Sequence, residues 1–405
     1  MMSETFDVIV VGGGPAGATA ACEAALAGRS VLLLDRAGRI KPCGGAIPPR
    51  AIQEFAIPDD LLVAKISTAR IVSPTAQAVD IPIEGGFVGM VDRAVFDEWL
   101  RERAAGVGAQ RMTGTFERLE RDDDGTAVVV YHPGQGHNDH PLERVRGRVV
   151  VGADGANSAV ARQAVANGDR TPFVFAYHEI LEAPRNGLSD YDPTRCDVVY
   201  RGDLSPDFYG WVFPHGDTVS VGTGSANKGF SLRAAVGRLR DAAGLGDAAL
   251  VRHEGAPIPL KPLSRWDNGR DVVLAGDAAG VVAPASGEGI FYAMLGGRLA
   301  AEAADTCLST NDGRALARAR KRFMSTHGGV FWILGMMQHY WYVNDDRRER
   351  FVAICRDKDV QELTFDAYMN KELVKAKPLA HVRIFFKNVA HLTGLVPARA
   401  AAPTP

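Results

Sequence analysis

Cysteine is scarce in this chain and poorly spaced for cross-linking. The five cysteines (Cys22, Cys43, Cys196, Cys307 and Cys355) are odd in number, scattered, and form no Cys-x-x-Cys pair. That excludes a disulfide framework and a cysteine-rich metal site, and it predicts reduced thiols in a cytoplasmic protein. Charge of one sign is lacking too: 46 Lys and Arg stand against 48 Asp and Glu, for a formal net charge of -2 at pH 7. No basic excess draws the chain to nucleic acid, and no like-charge block reads as an interaction tail. No apolar run reaches the roughly 18 residues that a membrane-spanning helix needs. The N-terminus runs straight into an apolar strand pattern, which leaves no room for a signal peptide. The polar stretch from His132 to Arg146 holds His132, His137 and His140, but no carboxylate or cysteine cluster completes a metal shell there. It reads as a solvated hairpin loop, and no metal is expected.

What is present is concentrated in the first 36 residues. An apolar run, Phe6 to Val11, leads into Gly12-Gly13-Gly14-Pro15-Ala16-Gly17. A helix-forming stretch follows to about Ala27, and a second apolar run, Ser30 to Leu34, ends at Asp35 and Arg36. The order strand, glycine loop, helix, strand, acid is that of a dinucleotide-binding unit. Gly12 allows the tight turn, Gly14 lets the backbone approach a pyrophosphate, and Gly17 lets the helix pack close to the strand. Pro15 and Ala16 open the helix, where the missing N–H of proline costs nothing. The helix N-terminus then offers N–H groups and a positive dipole end to phosphates. Asp35 stands about 20 residues further on, where a carboxylate binds ribose hydroxyls and disfavours a 2′-phosphate. FAD or NAD is thus expected as the resident ligand, not NADP.

Along the chain, Val91 to Gly106 reads as a helix. Phe116 to Leu119, Ala127 to Tyr131 and Arg148 to Val151 read as strands, with a turn at Asp122-Asp123-Asp124-Gly125. From Phe173 to Gly224, short strands separated by Gly, Pro and Asp turns predict an antiparallel sheet. Val272 to Ala275 returns to the first strand pattern, and after Ala293 the chain reads as helical nearly to its end. The fold class expected is α/β: a discontinuous nucleotide-binding domain over 1–170 and 266–312, and an antiparallel substrate domain over 171–265 inserted into it. A helical region over 313–396 and a disordered Ala/Pro-rich tail over 397–405 complete the expected organisation.

Distant segments suit a flavin. Asp271 to Gly280 is an apolar strand ending in Gly276-Asp277, and Pro284 to Ile290 opens a helix through Gly287, Glu288 and Gly289. A carboxylate at a strand end can bind a ribityl hydroxyl. Gly287, Gly289 and Ile290 let a helix N-terminus approach the flavin N1–C2=O edge, which is negative in the reduced state. Val149 to Gly155 supplies a third strand end, Asp154-Gly155, which by itself reads equally as a β-turn.

Together these motifs resemble the glutathione-reductase-type flavoproteins, in the branch shared by aromatic hydroxylases and geranylgeranyl reductases. The resemblance spans nearly the whole chain and implies FAD as cofactor. It implies cofactor contacts at Asp154-Gly155, at Gly276-Asp277 and at Arg93. The chain departs from the usual pattern at Asp35, where glutamate is common. No second GxGxxG opens another βαβ unit, so a pyridine nucleotide would visit only transiently.

Two further segments, Lys41-Pro42-Cys43-Gly44-Gly45-Ala46-Ile47-Pro48 and Pro206-Asp207-Phe208-Tyr209-Gly210-Trp211-Val212-Phe213-Pro214 with Val221-Gly222, resemble the geranylgeranyl reductase family. The first is similar to the branch acting in chlorophyll and bacteriochlorophyll synthesis, and places Cys43, Gly44, Gly45 and Ala46 near the flavin. Alternation along Tyr209, Trp211 and Phe213 puts three rings on one sheet face, either as core or as the lining of an isoprenoid slot. The implied reaction is hydride transfer from reduced FAD to each of three isolated double bonds of a geranylgeranyl chain, giving phytyl. The chain is attached to (bacterio)chlorophyll or carried as the diphosphate. An isolated alkene is a poor hydride acceptor, so a proton must reach the other carbon early. Cys43 is a candidate proton donor or substrate-positioning group, with a small buried residue as the competing reading. Tyr209 and Glu288 are weaker catalytic candidates. NADPH is the expected reductant, with reduced ferredoxin as alternative. Rival readings are an aromatic monooxygenase, a redox-neutral isoprenoid cyclase and a non-enzymatic prenyl-escort protein.

The C-terminal third fits a lipid substrate. Val330 to Met337 continues to Tyr340-Trp341-Tyr342, rich in aromatics that favour interfaces. His381 to Val396 mixes Arg383 and Lys387 with apolar residues. Two readings stay open for this region: peripheral contact with the cytoplasmic face of a membrane, or a helical layer capping the substrate domain.

Overall fold

A computed structural model describes residues 5–36, 41–84, 86–134, 141–184 and 190–361. His137, His140, the stretch from His381 to Val396 and the tail over 397–405 lie outside the described residues. The chain runs β1 (Thr5–Val11), α1 (Pro15–Leu26), β2 (Val31–Asp35), β3 (Ala46–Ile47), α2 (Pro49–Glu54), β4 (Leu62–Ile66), β5 (Thr68–Val72), β6 (Ala78–Pro82) and β7 (Val88–Val91). It continues with α3 (Arg93–Gly106), β8 (Gln110–Arg121), β9 (Ala127–Pro133), β10 (Glu143–Gly152), α4 (Ala159–Ala164), β11 (Phe173–Glu182), β12 (Arg195–Val199), β13 (Gly210–His215) and β14 (Thr218–Ser225). Last come α5 (Leu232–Ala242), β15 (Leu250–Pro259), β16 (Val272–Leu274), α6 (Ile290–Thr310), α7 (Arg318–Trp341) and α8 (Asp345–Ile354).

The chain divides into two compact units. The first takes 1–43, 93–173 and 257–328. Its centre is a parallel sheet in which β1 lies between β2 and β10, with β8 beyond β2 and β16 beyond β10. These strands are covered on both faces, which is why Val8–Val11, Val31–Leu34, Val149–Val151 and Val272–Leu274 are continuous apolar runs rather than alternating ones. The strand β9 pairs antiparallel with the far halves of β8 and β10. The predicted strands at Phe116–Leu119 and Arg148–Val151 are therefore pieces of longer ones, and the loop expected from His132 is shortened by strand at both ends. The helix expected from Val91 begins at Arg93, because Val91 closes β7.

The second unit takes 44–92, 174–256 and the described residues from Gly329 onward. Its seven-stranded sheet runs β15-β11-β14-β13-β12-β5-β6 and is antiparallel except where β12 meets β5. On one face Leu181, Val199, Val212, Val219 and Val221 pack with Val236 and Leu239 of α5. A three-stranded sheet, β3-β7-β4, completes the unit. Residues 44–92 thus differ from the sequence expectation, which grouped them with the nucleotide-binding domain. The cause is long-range pairing: β5 aligns Thr68 with Arg195 and Val72 with Val199, a register that no local pattern encodes.

Candidate cofactor and substrate sites

In the first unit the glycine loop is shaped by close backbone contact. Gly12 has φ +103°, and a side-chain carbon there would sit 2.4 Å from the Ala153 carbonyl oxygen. One at Gly17 would sit 1.7 Å from the Gly12 carbonyl oxygen, so α1 packs directly on the end of β1. Gly13 was given no role in the sequence reading, yet a carbon added there would meet the Asp35 carboxyl at 2.7 Å. Gly14 differs from its neighbours: a carbon added there would meet nothing within 4 Å. Gly14 is also the N-cap of α1, with no side-chain cap, and Pro15 and Ala16 follow it. An open backbone face at an uncapped helix N-terminus is what a pyrophosphate needs, so these residues fit a dinucleotide. Arg101, also unforeseen, donates to the Gly13 carbonyl at 3.1 Å and lies 3.4 Å from Asp35, tying the acid to the loop. Arg36 follows Asp35 and is exposed.

The strand-end acids part ways. Asp277 is buried and pairs with Lys41 Nζ at 2.5 Å. Its neighbour Gly276 has φ +63° and lies so close to α1 that a side-chain carbon would be 2.6 Å from Ala16 Cβ. Asp154 turns its carboxylate to α4 instead, accepting from Ser158 Oγ at 2.5 Å, Ala159 N–H at 2.7 Å and Val160 N–H at 3.1 Å. Burial pushes its carboxyl pKa up against those three donors. What Asp154 brings to the loop is its backbone, 3.0 Å from a carbon added at Gly12, and Gly155 turns away at φ +89°. Glu288, a catalytic candidate from sequence, is buried and accepts from the Phe291 N–H at 3.0 Å, a cap on α6. Gly287 has φ +66°, and Gly289 caps Ile290 at the start of α6. Gly297, not anticipated, lets α6 approach α1: a carbon there would be 2.1 Å from the Ala16 carbonyl oxygen.

Arg93 is 5 % exposed and binds Asp97 through two hydrogen bonds, at 2.8 and 2.7 Å. Burial opposes its charge, but the Asp97 carboxylate and a hydrogen bond to the Cys43 side chain hold its pKa above the ordinary guanidinium value. Its side chain is therefore a clamp on Cys43 as well as a candidate cofactor contact. Asp97 carries no role in the sequence reading; its place four residues after Arg93 on α3 is the signal that pairs them.

In the second unit, Gly44 lies against the Phe213 ring, 3.2 Å from a carbon added there. Gly45, at φ +70°, lies against His215 Nε2 in the same way at 2.6 Å. Ala46 opens β3 opposite Met90. These three positions are thus tied to β13 and β7 within this unit. His215, unforeseen, bonds the Phe213 carbonyl at 3.0 Å and the Gly44 backbone. Burial lowers its pKa against the raising effect of both carbonyls. Tyr209, Trp211 and Phe213 do share a face, with ring centroids 6.1 and 6.3 Å apart. Tyr209 also stacks on Phe208 at 4.2 Å and tilts against Tyr200, so its ring belongs to an aromatic cluster. Among the described residues no group of His, Cys, Asp and Glu could hold a metal ion.

The family model described as FAD dependent oxidoreductase matches residues 7–58, from β1 through α2. Geranylgeranyl diphosphate reductase of Rhodobacter capsulatus is 59% identical over 97% of this chain and 98% of its own. The chain belongs to the geranylgeranyl reductase family. Geranylgeranyl diphosphate reductase of Synechocystis is 36% identical over 95% of this chain and 97% of its own. The solved structure of a geranylgeranyl bacteriochlorophyll reductase-like protein from Thermoplasma acidophilum superposes with a TM-score of 0.79, at 24% identity, over 93% of this chain and 99% of that one. That likeness supports the same FAD-binding α/β fold. Family membership favours neither the monooxygenase nor the escort reading.

Proposed function

We propose that this protein is an FAD-dependent geranylgeranyl reductase that saturates three double bonds of a geranylgeranyl group to give phytyl, on (bacterio)chlorophyll or on the diphosphate. The observation that carries the reading is that full-length similarity to geranylgeranyl diphosphate reductases coincides with a loop and helix N-terminus shaped for a dinucleotide. When bound and reduced, FAD supplies the hydride. Gly12, Gly14, Pro15, Ala16 and Gly17 would hold its pyrophosphate, and Asp35 with Arg36 its adenosine ribose. Asp277 would take the ribityl chain, while Gly287, Gly289 and Ile290 would face the isoalloxazine edge. Arg93, Gly155 and the backbone of Asp154 would line the same cofactor. The electron donor in this reading is NADPH, visiting transiently, with reduced ferredoxin the alternative outcome of the same assay.

Each saturation places hydride on one alkene carbon and a proton on the other. In this reading Cys43 Sγ gives the proton, and the sulfur left negative faces the Arg93 guanidinium, a charge-assisted partner for it. Trp211, Phe213 and Tyr209 would line the prenyl slot. A Cys43→Ala protein is expected to keep bound FAD and lose turnover by about a hundred-fold, the usual worth of a positioned acid. Undiminished turnover would remove the thiol from the mechanism. The function itself is tested anaerobically, with FAD-loaded protein, a reductant and geranylgeranyl-bacteriochlorophyll or the diphosphate. Stepwise mass gains of two, four and six hydrogens are expected. Oxygen-dependent addition of one oxygen to another substrate would return the case to a monooxygenase. A colourless protein that binds prenyl chains without turnover would mark an escort.

The proposal extends to peripheral contact with the cytoplasmic membrane face. No described helix is long and apolar enough to cross a membrane. The helix α7 nevertheless exposes Trp332 (65%), Met336 (38%) and Tyr340 (46%) at four-residue spacing, hence on one face. Aromatic residues on an exposed helix face suit the headgroup region. A Trp332→Ser/Tyr340→Ser protein is expected to co-sediment with liposomes several-fold less than the parent; equal sedimentation would remove this face from any membrane contact.

A further inference from the structure

The face of the second unit's sheet that carries Trp211 also carries a buried polar row. Trp211 on β13 is 6 % exposed, and its indole Nε1–H donates to Ser220 Oγ on β14 at 3.1 Å. His178 on β11 is 3 % exposed and places Nδ1 3.0 Å from the same oxygen. Its Nε2 lies 3.3 Å from Glu254 Oε2 on β15, and Arg252 Nε donates to the other Glu254 oxygen at 2.8 Å. The row crosses four neighbouring strands, β13, β14, β11 and β15.

With a neutral imidazole, the donor inventory assigns the row one direction. An indole N–H can only donate, so Ser220 Oγ accepts from Trp211. The serine hydroxyl then has its own proton to give, and His178 Nδ1 is the acceptor at hand. The imidazole proton then sits on Nε2 and is donated to Glu254 Oε2, while the other Glu254 oxygen accepts from Arg252. Every polar atom of the row is satisfied in this arrangement, as buried groups require.

Backbone space agrees. In the register Trp211 and His178 are both paired with Gly222 of β14, one on each side. A side-chain carbon at Gly222 would sit 2.2 Å from Trp211 Cζ2 and 2.5 Å from His178 Cβ. Gly222 is bare so that the indole can lie across β14 with its nitrogen over Ser220. This accounts for the distance in sequence between the aromatic segment and its following glycine: the two are cross-strand partners.

We propose that Ser220 and His178, braced by Glu254, are positioning residues that lock the plane of the Trp211 indole as a fixed wall of the prenyl slot. The inference rests on the reading of the ring row as that slot. A chain reduced in several rounds partitions each time between the next reduction and release. A wall free to rotate holds the chain less well, so KM rises and partly reduced products escape.

The test uses the FAD-loaded, full-length protein with geranylgeranyl diphosphate, comparing Trp211→Phe, Ser220→Ala, His178→Phe, His178→Asn and Trp211→Ala. Loss of the indole bond should raise KM about five-fold, the factor expected for one net hydrogen bond. The ratio of dihydro and tetrahydro to fully reduced product should rise by a similar factor. Ser220→Ala and Trp211→Phe should match each other, and the double variant should add nothing further. His178→Asn, whose side-chain oxygen can still accept from Ser220, should stay near the parent values, whereas a purely structural role would be served no better by Asn than by Phe. If Trp211→Ala raises KM while Ser220→Ala and His178→Phe, folded by circular dichroism, leave KM and product ratio unchanged, the positioning row is overturned and the slot stands. If Trp211→Ala itself changes neither quantity, the slot reading falls and takes the row with it. Should Ser220→Ala fail to fold, Trp211→Phe carries the same comparison with the ring retained.

Discussion

A Gly17→Ala protein is expected to be purified without flavin colour and with a lowered Tm. One methyl group produces this because it would sit 1.7 Å from the Gly12 carbonyl oxygen, a backbone atom that cannot rotate away. Either α1 lifts from β1 or the Gly12 turn opens. Gly12 is itself pinned at φ +103° against Ala153, so the helix must give. Forced overpacking of this kind costs about 1–3 kcal/mol in stability. The larger loss is in FAD binding, since the same shift moves the N–H groups of the first helical turn off their target. At least a ten-fold fall in flavin bound per protein, read from visible absorbance, is expected. Gly14→Ala separates the two effects. Its added carbon meets nothing beyond its chain neighbours within 4 Å among the described residues and its φ of -73° suits any residue, so Tm without cofactor should hold while FAD binding drops. A Gly14→Ala protein that binds FAD as well as the parent would show that the pyrophosphate does not lie on this backbone.

The second large effect is expected at Asp97. Its carboxylate neutralises a guanidinium that is 5 % exposed, and Asp97→Leu leaves that charge buried and unpaired. Breaking a buried pair from one side costs about 3–5 kcal/mol, whereas replacing both members by apolar groups is often close to neutral. Asp97→Leu should therefore lower stability sharply in chemical denaturation, and Arg93→Leu/Asp97→Leu should recover most of the loss. The double variant should still differ from the parent in one respect: with the guanidinium gone, the alkylation rate of Cys43 should change, since Arg93 is a hydrogen-bond partner of that thiol. Equal destabilisation by the single and double variants would mean that the pair stabilises through packing alone, not through charge compensation.

The elements legible in the sequence were those whose pattern is local. Continuous apolar runs marked β1, β2 and β16 because strands buried on both faces leave no polar alternation. The glycines of the first loop were legible because only glycine tolerates the contacts at 12 and 17. Alternation placed Tyr209, Trp211 and Phe213 on one face, since side-chain direction in a strand has a period of two.

By itself, then, the sequence determined the dinucleotide unit and the row of rings, each readable from residues close together in the chain, and the family, readable from motifs spread along it. Tertiary structure decided what each polar group does. Asp154 and Glu288 spend carboxylate oxygens on helix N-terminal N–H groups, whereas Asp277 meets Lys41 and Asp35 meets Arg101. It also decided that residues 44–92 join the second unit, and that Trp211, Ser220, His178 and Glu254 stand in line. The physical reason is common to all of them. A carboxylate, an imidazole or an edge strand takes whichever partner the fold brings within about 3 Å, and those partners come from chain segments far apart in sequence.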